Sequence, residues 1–155
     1  MKAITINQPF ASLLACGVKK YVTMPWETDF RGKIAIHSGK DGLHRFNKDS
    51  SVIKVIASQL KIDENEYGAI LAVAEITECW KIIKSEEHRI LLKSNNDNYR
   101  AIFKWNDYLE IQLDDFSVDR YAFEFCNIQE LEKPVKANGR GKGLWEWIGY
   151  YDLKA

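Results

Sequence analysis

The thirteen residues from Gly68 to Trp80, Gly-Ala-Ile-Leu-Ala-Val-Ala-Glu-Ile-Thr-Glu-Cys-Trp, limit the fold more than any other part of the chain. They begin apolar on both faces and then alternate, as a long strand curling through a small barrel would. Shorter strand patterns surround them: Lys2–Ile6, Lys20–Thr23, Lys33–His37, Arg120–Ile128 and Trp145–Tyr150. No βαβ rhythm links these segments. Five or six strands with one or two helices near the N-terminus predict a mainly β, α+β fold built on a small barrel.

Two helices are expected in the first sixty residues. Asn7 or Gln8 can cap a short helix with Pro9 in its first turn, and Gly17 can close it in a left-handed conformation. Phe10, Leu13 and Leu14 form its apolar face, while Gln8 and Ser12 share a polar one. Ser50 or Ser51 can cap a second helix running to about Leu60. Residues 81–119 read as a variable helical and loop insertion, with short helices near Glu86–Lys93 and Tyr99–Trp105 and a loop at Asn95–Asn98. The run Gly139-Arg140-Gly141-Lys142-Gly143 cannot be regular structure. With no repeat or linker, residues 1–155 read as one domain.

Bulk properties exclude several classes. No run of eighteen apolar residues exists to span a membrane, and the N-terminus has neither an apolar signal region nor a cleavage site. A cytoplasmic monomer is the expectation. Cys16, Cys79 and Cys126 cannot all pair and lack ligand spacing, so small buried thiols are expected and neither metal nor cofactor is. The zero net charge hides an asymmetry. Residues 1–58 hold nine Lys/Arg against four Asp/Glu, 59–132 hold eight against sixteen, and 133–155 hold five against two. If the chain ends meet, they make a basic face suited to a polyanion.

The candidate site residues follow from that charge pattern. Lys19 and Lys20 follow a helix end, where they complement its dipole or contact a phosphate. Arg31, Lys33, His37 and Lys40 lie within ten residues, with Lys33 and His37 on one strand face. Arg140 and Lys142 sit where glycine-rich backbone can form an anion nest. Trp26 and Trp145 are either core residues or stacking platforms for a base. Glu75, alternating with Leu71 and Val73, either pairs with a cation or does acid–base work. Nucleophile-elbow and P-loop patterns are absent.

Four pieces in order resemble the ASCH family of the PUA-like superfold: Ile6-Asn7-Gln8-Pro9-Phe10-Ala11-Ser12-Leu13-Leu14, Gly17-Val18-Lys19 with Trp26, Phe30–Ser38, and the pair Arg120-Tyr121-Ala122-Phe123 and Gly141-Lys142-Gly143-Leu144-Trp145. The resemblance implies a PUA-like barrel that binds RNA, single-stranded nucleic acid or a nucleotide-like ligand. It also implies an alternative, an amidohydrolase for N4-acylated cytidine, whose Lys corresponds to Lys19 and whose Thr falls on Val22. In an enzyme reading of these residues, on a modified nucleoside or an RNA linkage, Lys19 is the base or electrostatic stabiliser, Glu75 the acid–base partner, and Thr23 or Ser12 supplies a hydroxyl. The family signature's Glu and Arg positions hold Val22 and Met24 here, which turns the expectation from catalysis toward binding.

Overall fold

The computed structural model describes residues 1–40, 51–139 and 142–149, with backbone alone at 51–54 and 57. Eight strands form one sheet: β1 (Lys2–Ile6), β2 (Tyr21–Met24), β3 (Gly32–Ser38), β4 (Ala69–Ser85), β5 (Arg89–Lys93), β6 (Tyr99–Phe103), β7 (Tyr121–Lys136) and β8 (Leu144–Glu146). The helices are α1 (Phe10–Ala15), α2 (Ser51–Leu60) and α3 (Tyr108–Gln112). The mainly β, barrel-like expectation holds, and the sheet curls as a half-barrel.

The spine is the antiparallel ladder of β4 and β7, seventeen and sixteen residues long. Register shifts at Ile70/Ala72, Val73/Glu75 and Ile76/Glu78 bend it, since each bulge adds a residue to one strand and increases local twist. The strand order β2-β7-β4-β3-β1-β8 places β1 parallel to β3, while β5 and β6 extend from the far end of β4. The first and last strands meet, because β1 pairs with β8 through Lys2↔Glu146 and Ala3↔Trp145.

Strand alternation divides the interior. Ile4, Ile6, Ile34, Ile36, Ile76 and Phe123 face the main core, closed by Leu13 and Leu14 of α1. Ala3, Ala35 and Ile70 face the other way, under Trp145 and Trp147. A third cluster lies where α3 and its flanks cover the hairpin: Trp80, Ile82, Ile90, Leu92 and Ile102 meet Ile111 and Phe116. Helix α1 is set by Gln8, whose Oε1 accepts the Ser12 N–H at 3.0 Å and whose Nε2 donates to Ser12 Oγ at 2.8 Å. Gly17, at φ 82°, ends it, and the Val18 and Lys19 N–H groups both reach Leu13 O.

Residues 81–119 correct the sequence expectation. The segments expected as short helices are the β5–β6 hairpin, and helix appears only at α3. Ile90 and Leu92 alternate with Arg89, Leu91 and Lys93, a period of two that packs one face on Trp80 and Ile82. That hairpin brings the sheet to eight strands, against the five or six expected.

Candidate nucleic-acid interface

Strand β2 ends the sheet order, so one side of its backbone has no strand partner. Carboxylates from α3 and the turn after it take that role. Glu110 Oε2 accepts the Lys20 N–H at 3.1 Å and Oε1 the Tyr21 N–H at 3.1 Å, while Asp114 Oδ2 accepts the Thr23 N–H at 3.0 Å. Lys19 supplies the counter-charge: its side chain is 0% exposed, with Nζ 2.8 Å from Glu110 Oε1 and 3.7 Å from Asp114 Oδ2. The Thr23 hydroxyl donates to Asp114 Oδ1 at 2.8 Å and accepts from Arg120. Lys19 and Thr23 are therefore brought together through Asp114, as a closed lock that covers a strand edge and docks α3.

This arrangement corrects the Lys19 assignment, because no phosphate reaches an ammonium with no exposed surface. Glu75 is not its partner. Glu75 stands opposite Lys33 and Cys126 in the ladders, on the face turned away from the main core, and accepts from Asn127 Nδ2 at 3.3 Å. The acids at Lys19 are Glu110 and Asp114, which sequence reasoning missed. Their i,i+4 spacing at a helix end was the available signal.

The other expected ligands disperse. His37 and Trp145 are buried together, rings perpendicular at 5.2 Å. The pattern of bonds assigns the proton to His37 Nε2, which donates to Ala137 O at 2.9 Å. Nδ1 then accepts from Thr5 Oγ1 at 3.1 Å, which itself accepts from Trp145 Nε1 at 3.0 Å. Burial lowers the His37 pKa from its ordinary 6.5, so the ring is neutral and supplies no positive charge. Gly139 seals this cluster, since a Cβ there would lie 2.4 Å from His37 Cε1. Trp145 is thus a core residue and offers no face for stacking.

Arg31 is half-buried and bonded to Glu78 and to the Thr28 and Phe30 carbonyls. Lys20, Lys33, Lys40 and Lys142 are exposed. Lys20 lies over Tyr21 at 5.2 Å, and Lys40 Nζ stands 3.5 Å from Asn138 Oδ1. Arg140 lies outside the described residues. Lys19, Arg31 and His37 have separate partners on separate elements, so the cleft expected between them does not form.

A basic and aromatic surface occurs instead on the open face of the β4–β5–β6 extension. Cross-strand pairing aligns Tyr121, Lys81, Lys93 and Tyr99 in one row over β7, β4, β5 and β6. Lys84 pairs with Leu91, and Arg89 with Phe103, on the same face. These strand positions hold four cations and no carboxylate. The acids Glu86, Asp97 and Asp119 sit in the turns around them, in exposed pairs with Arg89, Lys93 and Lys81. Such exposed pairs contribute little and are screened by salt. Phe103 stacks on Trp105 with centroids 4.5 Å apart, and Trp105 is 69% exposed, with Tyr99 at 59%. Lys93 lies 5.7 Å from the Tyr99 ring centroid.

The inner face of the same hairpin is fixed. Arg100 bonds Tyr21 Oη at 2.7 Å and Glu124, and lies 4.6 Å from the Trp80 ring centroid. Burial pushes the Tyr21 hydroxyl up to about 12. Trp26 joins the two regions, half-buried with its ring edge-on to Phe123 at 5.0 Å. Phe123 lies two residues along β7 from Tyr121 and on the same face. Among the described residues no helix is long and apolar enough to cross a membrane, and no cluster of three or more His, Cys, Asp or Glu is placed to hold a metal. No family model matches the chain, and no curated protein matches it.

Proposed function

We propose that this chain is an ASCH-like domain that binds single-stranded nucleic acid, RNA foremost, on the open face of the β4–β5–β6 extension. The observation that carries the reading is the four-strand row Tyr121–Lys81–Lys93–Tyr99, flanked by the exposed Phe103–Trp105 stack. Aromatic rings give successive bases a surface worth about 1–3 kcal/mol each, and the lysines between them supply cations for phosphate contacts. The opposite face is closed by α3, so bound strand lies on one side only. Single strands fit better than duplex, because an open sheet with protruding rings stacks on splayed bases.

The experiment is fluorescence titration of a short single-stranded RNA into the protein and into Trp105→Ala. Quenching of tryptophan emission in the wild type, with affinity reduced about 10-fold in the variant, supports the reading. Equal affinity of the two proteins, or binding to neither, overturns it.

A further inference from the structure

The row of aromatic and basic residues ends in a pocket of about 240 Å³, lined by Tyr121 and Lys81, by Lys93, Asn95 and Asp97 from the hairpin, and by Glu27 from the β2–β3 connection. We propose, resting on the nucleic-acid reading above, that this pocket takes one base from the bound strand and selects guanine. Its volume is below the ~300–1,000 Å³ of pockets that enclose a whole drug-sized ligand, and suits a single base with its sugar left outside.

The lining chemistry sets the choice. Glu27 is exposed and has no hydrogen-bond or ion-pair partner among the described residues, while Asp97 is held by Lys93 at 3.3 Å. An ionised carboxylate offers acceptors only, so its complement is a base edge that presents donors. Guanine presents two adjacent donors, N1–H and N2–H, matching the two carboxylate oxygens. Adenine and cytosine present one amino group beside a ring acceptor. Uracil flanks its single N–H with carbonyl oxygens that repel the carboxylate. The same negative charge keeps phosphates from entering with the base, leaving them to Lys81 and Lys93 at its rim and to Lys84 and Arg89 beyond. Tyr121 supplies a ring wall, and Asn95, whose Nδ2 donates to Asp29 Oδ1 at 3.5 Å, has a second N–H for guanine O6.

The test is binding of three short RNAs, a uridine oligomer with one central guanosine, the same oligomer with inosine there, and uridine throughout, to the wild type and Glu27→Gln. The expected wild-type order is guanosine over inosine over uridine, with guanosine at least ~5-fold tighter than uridine. Glu27→Gln removes most of that preference, read as the ratio of guanosine to uridine affinity falling toward 1 whatever the absolute affinities. Equal binding of the three RNAs by the wild type, or an unchanged preference in Glu27→Gln, overturns the pocket assignment and leaves the sheet-face reading intact. Failure of every oligomer to bind overturns both. A melting temperature equal to wild type shows that Glu27→Gln is folded, as expected for an exposed side chain.

Discussion

Lys19 Nζ lies 2.8 Å from Glu110 Oε1 in a site with no exposed lysine surface, and that carboxylate also accepts the backbone N–H groups of Lys20 and Tyr21. One acid thus closes a strand edge and neutralises a buried cation. Removing Lys19 leaves two carboxylates without their counter-charge. Lys19→Met should therefore cost about 3–5 kcal/mol of unfolding free energy, read by chemical denaturation. Adding Glu110→Gln to Lys19→Met should cost less than the sum of the two single changes, because each single change strands the other's charge.

The same burial bears on hydrolysis. Lys19 and Thr23 share Asp114, but neither is presented to a substrate. Incubation with N4-acetylcytidine should release no acetate. Turnover that disappears in Lys19→Ala would reverse this conclusion.

His37 makes stability depend on pH. Its folded pKa lies below 6.5, so between the two values the unfolded chain binds more protons than the folded one. Stability contributed by the neutral ring is therefore complete above about pH 7 and is lost as pH falls below 6.5 toward the folded value. Denaturation midpoints between pH 5 and 8 should show this slope, and His37→Gln should flatten it.

Thiol reactivity should separate the cysteines. Cys16 is exposed, contrary to the expectation of three buried thiols, whereas Cys79 is buried with its pKa pushed up to about 11 by desolvation. A maleimide at neutral pH should modify Cys16 in the native protein and reach Cys79 only after unfolding. Mass spectrometry of the labelled peptides checks the order.

The sequence made the strands legible where apolar residues recur with period two over many positions. Lys2–Ile6 appears as expected, and the apolar run from Gly68 became the first part of β4. The β5–β6 hairpin was not legible, because five-residue segments such as Arg-Ile-Leu-Leu-Lys satisfy helical and strand spacing alike. Lys19, His37 and Trp145 were expected to line a binding cleft, with a core role as the other reading for Trp145, and all three are buried instead. Their partners, Glu110, Thr5 and Ala137, lie between 32 and 140 residues away in sequence, and no local pattern reports such contacts. The basic face illustrates the same gap. Residues 59–132 carry twice as many acids as bases, yet strand alternation sorts Lys81, Lys84, Arg89 and Lys93 onto one side and leaves their acids in the turns.

The central claim is most directly tested by the salt dependence of single-stranded RNA binding to the wild type and to the double variant Lys81→Gln/Lys93→Gln. Each phosphate neutralised on a single strand contributes about −0.7 to the slope of log K against log salt. The account predicts that the double variant binds more weakly and that its slope is shallower by about 1.4. A wild-type slope near zero, or an identical slope in the double variant, would contradict it.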